Sequence, residues 1–405
     1  MKKSEQLNIF GTKRMTFDEQ VALTVQSMNT YGPLHDHWAA AWSWGKDSTA
    51  LITLIVYLME SGKIPKPKSF TILCADTRME LIPLWVAAKG IISKMNQLGI
   101  DVKVVTAPLD DRFMVYILGR GVPPPSNRFR WCTPQIKIEP MEEALSALHS
   151  NIGQKILMLT GVRQGESAIR DGRIAMSCSK DGAECGQGWY QTGLDGAMCS
   201  TLAPILHWRV CNVWDWLKLF APSQEFGGWP TAILADAYGG DEAEEINART
   251  GCIGCPLASK DKALESVVKI IYWNYLSPLK ELKIIYREMR LPKHRRRQPG
   301  GQRNKDGKLS KNQQRLGPLT IESRMYFLDK IIDIQKRVNE KAQELNRPMI
   351  DILNEEEISR IKELMTLNTY PDGWTGDEPT GDIILDKKYS DGSTMEYMFR
   401  DMVRK

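Results

Sequence analysis

Residues 43–48 read Ser-Trp-Gly-Lys-Asp-Ser and lie between a short apolar run, HWAAAWSW, and a long apolar stretch, TALITLIVYLMES. A strand that turns sharply into a helix leaves the first helical N–H groups without intrahelical partners, and such groups can cradle phosphate. Gly45 permits close backbone approach, Lys46 supplies a positive charge, and Ser43 and Ser48 bring hydroxyls to phosphate oxygens. Asp47 is no phosphate ligand by itself; it suits Mg2+ or capping of the following helix. The four-residue spacer of the Walker pattern is absent, which disfavours an ordinary P-loop NTPase.

The eight cysteines are the second chemical clue: Cys74, Cys132, Cys178, Cys185, Cys199, Cys211, Cys252 and Cys255. Cys252 and Cys255 form a Cys-x-x-Cys pair in a glycine-containing turn, a spacing that lets two thiolates reach one metal. Cys132 follows arginines that would favour its thiolate. A fourth ligand would come from Cys178, Cys185 or Cys199 in a Gly-rich insertion, with Cys185 preferred because Gly186 and Gly188 flank it closely. Cys74 and Cys211 lie in apolar surroundings and read as core residues. Spacing does not separate a 4Fe–4S cluster from Zn2+.

Positioning these groups requires strands and helices in alternation. HWAAAWSW, SFTILCAD, DVKVVTAP and KILMLTGV read as buried strands with helical patterns between them, which predicts an α/β fold with a doubly wound, mostly parallel sheet. Ligands in such sheets sit at the carboxyl ends of the strands, where residues 43–48, Asp76 with Thr77, and Arg163 would converge. Arg163 suits a bidentate contact to phosphate. Asp76 suits Mg2+ or a ribose hydroxyl, or equally an N-cap.

The expected organisation is an N-terminal helical extension over residues 1–34, a nucleotide domain over 35–256 with a Cys-rich insertion at 171–200, and a helical C-terminal region over 257–405. Residues 293–315 are rich in Lys and Arg with Asp306 as the one acidic residue, which suits a solvated loop or a phosphate-contacting arm. The formal charge of +5 fits an anionic substrate. No run approaches the roughly 18 apolar residues of a membrane span, and no secretion signal opens the chain, so a cytoplasmic setting without membrane contact is expected.

Residues 43–48 resemble the Ser-Gly-Gly-x-Asp-Ser signature of PP-loop ATP pyrophosphatases, the family of sulfonucleotide (PAPS) reductases and nucleic-acid thiolation enzymes, with Trp44 standing at the first glycine. The pieces Gly-Arg-Gly-x-Pro at 119–123, Arg-Phe-Arg-Trp-Cys-Thr at 128–133, Lys137, LMLTGVRQGES, APILHWRVCNVWDWL, Cys252 to Cys255, and Gly317-Pro318-Leu319 with Glu322 and Arg324 resemble DndC proteins of DNA phosphorothioation. That resemblance implies an adenine nucleotide alpha hydrolase-like fold and an ATP pyrophosphatase enzyme. It would bind ATP through Ser43, Gly45, Lys46, Asp47, Ser48, Asp76 and Arg163, with Mg2+. Lys46, Asp47 and Arg163 would be catalytic, and Cys132, Cys185, Cys252 and Cys255 would hold a 4Fe–4S cluster. The implied partners are DNA, a cysteine desulfurase as sulfur donor and other phosphorothioation subunits. RNA base thiolation, sulfonucleotide reduction and a non-catalytic nucleotide sensor are the alternatives. No cysteine follows Cys255, so the thiol that a reductase needs in its C-terminal tail is missing.

Overall fold

A computed structural model describes residues 15–165, 189–193, 196–240, 251–304, 306–382, 387–389 and 391–395. Five parallel strands form one sheet: β1 (His37–Ala41), β2 (Ser69–Ala75), β3 (Asp101–Val105), β4 (Ile156–Leu159) and β5 (Cys199–Leu202), in the order β3-β2-β1-β4-β5. It is the doubly wound, parallel arrangement expected from the alternating pattern. β1 lies at the centre, with Ala40 beside Ile72 of β2 on one side and Leu159 of β4 on the other. The strand order reverses there, and such a point opens a crevice at the carboxyl ends of the two strands involved.

Small residues explain the central strand. Ala39, Ala40 and Ala41 let neighbouring elements close over β1, and Ala39 packs with Leu73, Ile156 and Met158 beneath Leu145, Leu148 and Ile152 of the helix α4 (Glu139–Ile152). The helix leaving β1, α2 (Lys46–Glu60), is buried along nearly its whole length, including Leu51, Ile52, Leu54, Ile55 and Leu58. At about 1.5–3 kcal/mol for each fully buried aliphatic side chain, its anchorage fixes where its N-terminus points. The N-terminal helix α1 (Phe17–Tyr31) begins with a capping box between Thr16 and Glu19. Its Thr24 hydroxyl donates to the Pro204 carbonyl and accepts from the Trp208 indole.

The chain forms two compact units, each assembled from separated stretches: residues 1–75, 83–105 and 141–247 make the first, and 76–82, 106–140 and 248–405 the second. The second unit is helical, with α5 (Lys262–Val267), α6 (Glu281–Glu288), α7 (Ile321–Glu344) and α8 (Glu355–Thr366). Its keystone is Arg324, fully buried, whose guanidinium donates to the carbonyls of Leu319, Gly119 and Thr369. Two stretches of the DndC resemblance, around 119–123 and 317–324, thus meet through a structural arginine. The basic segment is not wholly solvated, since Arg295 and Arg297 are buried. No helix of the described residues is long and apolar enough to cross a membrane.

Candidate functional site

The turn after β1 closes on itself. Ser43 donates its backbone N–H to Ser48 Oγ at 3.1 Å, the two hydroxyls lie 3.1 Å apart, and Ser48 Oγ donates to the Gly45 carbonyl at 3.2 Å. Gly45 is the N-cap of α2 and offers no capping side chain, so the helical amides that follow are left to a ligand or a neighbour. One neighbour is present: the Tyr238 hydroxyl accepts the Lys46 N–H at 3.0 Å, and the Lys46 ammonium lies 5.2 Å from the Tyr238 ring centre.

Trp44 stands at the first glycine of the signature that residues 43–48 resemble. Its backbone takes φ +60°, the left-handed conformation that a glycine would adopt freely, and its indole is buried beside Trp42 with ring centres 6.2 Å apart. The indole is therefore committed to the core while its backbone does what a glycine there would do. Trp44 Nε1 is buried with no hydrogen-bond partner, a local cost that the aromatic packing offsets.

The second half of the site comes from the turn after β4. Gly161 sits against the first turn of α2, and a Cβ there would lie 2.9 Å from both N and Cα of Ser48. That contact seats Arg163, which is buried, beside the loop: its Nε donates to Asp47 Oδ1 at 2.6 Å and its Nη1 to the Trp208 carbonyl at 3.0 Å. Asp47 also receives the Lys46 ammonium at 3.0 Å. Two cations thus share one carboxylate. Arg163, expected as a fork for phosphate, is engaged by Asp47, so a phosphate contact there would require exchange of partners within this triad.

Asp76 directly follows β2 but belongs to the second unit. It does not cap a helix, because α3 (Ile82–Gln97) begins six residues later; its carboxylate instead accepts the Arg78 N–H at 2.8 Å. Nearby Glu80 is buried, which raises its pKa; the Asp76 charge adds to that, and a hydrogen bond from the Thr77 hydroxyl opposes it.

The second unit also gathers Cys132, Cys252 and Cys255. Burial pushes the Cys252 thiol up to about 12, Lys137 works against that, and Glu80, Cys255 and Cys132 reinforce it. Burial likewise raises Cys132, which corrects the expectation that Arg128 and Arg130 favour its thiolate: both arginines point to solvent. Gly254, at φ +63°, lets the turn press on α6, where a Cβ would meet Leu282 at 2.9 Å. Among the described residues no group of three His, Cys, Asp or Glu is close enough to hold a metal ion. The donor chemistry suits an iron–sulfur cluster or Zn2+, but the spacing is not that of a closed site. Cys178 and Cys185 lie outside the described residues. Cys199 is packed in the sheet core beside Ala39 and Ile156.

Tyr238, Gly161 as a packing residue, the Trp208 carbonyl and Glu80 went unread in the sequence. Only Gly161 carried a signal, in its place two residues before Arg163 at a strand end.

The model of the phosphoadenosine phosphosulfate reductase domain matches residues 37–220. A phosphoadenylyl-sulfate reductase from Candida auris is similar in structure at 10% identity and TM-score 0.32, over 51% of this chain and 88% of its own. A tRNA thiolase from Methanococcus maripaludis, solved with its 4Fe–4S cluster, is similar at 14% identity and TM-score 0.33, over 69% and 82%. An FMN adenylyltransferase from Candida glabrata is similar at 16% identity and TM-score 0.30, over 50% and 56%. No curated protein matches. The matched residues, 37–220, supply every strand of the sheet and both turns of the crevice.

Proposed function

We propose that this protein is an ATP pyrophosphatase that activates a nucleic-acid acceptor for sulfur insertion, with the DNA backbone as acceptor, in the manner of DndC-like phosphorothioation. One observation carries the reading: the 43–48 turn and Arg163 meet at the point where the strand order reverses, with Lys46, Asp47 and Arg163 in direct contact. ATP phosphates would take the α2 amides, Lys46 and Arg163, and Asp47, released from Arg163, would turn to Mg2+. An acceptor oxygen attacks the α-phosphorus, the bond to the β-phosphate oxygen breaks, and pyrophosphate leaves with Lys46 and Arg163 neutralising its charge. The terminal sulfur of a desulfurase-derived persulfide then attacks the activated acceptor phosphorus and displaces AMP, and a second thiol, as external reductant, cleaves the resulting S–S bond to leave sulfur on the acceptor. Asp76 would contribute to nucleotide or Mg2+ binding.

The missing thiol after Cys255 weighs against the reductase activity. A 4Fe–4S cluster or Zn2+ on Cys132, Cys252 and Cys255 with Cys185 belongs to the same reading, and no step above passes through it. The test measures pyrophosphate release from ATP together with mass spectrometry of DNA and RNA supplied with a desulfurase and cysteine. Sulfur in the DNA backbone with pyrophosphate formed supports the proposal; sulfur in RNA bases replaces the acceptor; ATP bound without turnover makes the chain a sensor. Iron and zinc content of protein purified without oxygen tests the metal.

A further inference from the structure

The second unit holds two adjoining cavities that share Ser126 and Arg290. The first, about 290 Å³, is lined by Lys283, Arg287 and Arg290 and by the 256–259 loop that follows Cys255. The second, about 350 Å³, is lined by Arg290, Arg295 and Arg315 with Phe129, Gln302 and Trp374. Among the described residues, no Asp or Glu lines either one. Five cations therefore line the two cavities, and among the described residues no carboxylate does.

Arg290 and Arg295 are held by backbone carbonyls. Arg290 donates to the carbonyls of Pro125 and Pro256 at 2.8 and 3.1 Å, and Arg295 to those of Gly317 and Leu316. Burial lowers the Arg295 pKa to about 10, with the charges of Arg290 and Arg315 adding to the effect. Like charges gathered at such cost are relieved by an anion.

An aromatic platform stands at the rim. Residues 126–129 form a tight turn closed by Ser126 N–H to the Phe129 carbonyl at 3.1 Å and the reverse bond at 2.9 Å. Phe129 is 42% exposed on this turn, flanked by exposed Arg128 and Arg130, and it lines the second cavity. An exposed ring between two arginines is the arrangement that stacks a base while the cations take the adjoining phosphates. Inside, Gln302 Oε1 is buried with no partner, an acceptor waiting for a donor.

Resting on the reading that the acceptor is a nucleic acid, we propose that these cavities are its binding site. One unpaired nucleotide of a single strand stacks on Phe129, a base N–H reaches Gln302, and the flanking phosphates lie on Arg290, Arg315 and Arg128. The cavity is of single-nucleotide rather than duplex dimensions, which makes an unpaired nucleotide the form that enters.

The experiment measures fluorescence anisotropy of a labelled 12-nucleotide single strand, as DNA and as RNA, against its duplex. The full-length protein is compared with Phe129→Ala, Arg315→Glu and the distant control Arg360→Ala, and thermal melting checks that each is folded. The proposal expects the single strand to bind at least fivefold more tightly than the duplex. Arg315→Glu should weaken it tenfold or more and steepen nothing in the control, while Phe129→Ala should weaken it about fivefold at high salt as well as low. Variants that bind like the wild type overturn the site while leaving the functional reading intact. Competition by a mononucleotide as effective as the oligonucleotide, or duplex binding at least as tight, overturns the single-strand assignment. A wild type that binds neither DNA nor RNA overturns both this site and the reading beneath it.

Discussion

The switch-point crevice of the first unit and the cysteine region of the second are built on different principles. In the crevice, parallel register does the positioning: β1 and β4 are neighbours, so the turns that follow them must meet, and Gly161 lets them touch. The polar groups there are paired with one another before any ligand arrives. In the cysteine region no sheet fixes the geometry. Cys132 comes from one stretch and Cys252 with Cys255 from another, and burial raises the thiol pKa of Cys132 and of Cys252. One region is a self-paired polar cluster set by sheet register, and the other is a set of half-buried to buried cysteines whose thiols burial makes harder to ionise at Cys132 and Cys252.

The most severe way to break the first region is Gly161→Val. With its Cβ 2.9 Å from Ser48, the branched side chain must push the start of α2 away. Overpacking of this kind costs about 1–3 kcal/mol, and the displaced amides should abolish ATP-dependent pyrophosphate release, while thermal melting shows a folded protein. Trp44→Gly separates backbone from core. The left-handed φ is kept at less strain but the indole is lost, so stability should fall by about 2 kcal/mol in denaturant titration while the affinity for ATP stays within a few-fold.

A smaller effect is expected from Tyr238→Phe, which removes the hydroxyl that accepts the Lys46 N–H. It should cost about 1 kcal/mol of stability and leave the amide more available to phosphate, giving equal or tighter nucleotide binding by calorimetry. The smallest concerns the second unit alone. Arg360 holds Asp110 through two bonds, at 2.6 and 2.8 Å, and keeps its carboxyl below the ordinary carboxylate range. Stability from a depressed carboxylate is present above its unfolded pKa and lost as pH falls through the folded value. Arg360→Ala should therefore lower the melting temperature slightly at neutral pH, and the difference should vanish as pH falls through the folded Asp110 pKa.

How much of this was legible in the sequence follows the same division. β1 to β4 were readable because each is an apolar run bounded by turn residues, and with them came the convergence of residues 43–48 and Arg163. β5 was not: Cys199-Ser200-Thr201-Leu202 is short and half polar. The stretch from 258 to 290 reads as continuously helical, yet it breaks into α5, a 3-10 stretch over Ile271–Lys280 and α6, because Pro278 removes a backbone donor inside it. A single cut near residue 257 also differs from the interleaved units, since periodicity reports an element and not which distant element it packs on. At the site, residue type announced Lys46, Asp47 and Arg163. Pairing Arg163 with Asp47, burying the Trp44 indole and bringing Tyr238 to Lys46 depended on tertiary packing.

The measurement closest to the central claim is calorimetric binding of a non-hydrolysable ATP analogue with Mg2+ to the intact protein and to Lys46→Ala. The account predicts saturable binding at one site by the wild type and a loss of tenfold or more in affinity in the variant, roughly the effect of removing one charge-assisted phosphate contact. Equal affinity in the two proteins, or no binding by the wild type, would contradict the claim that residues 43–48 grip the triphosphate.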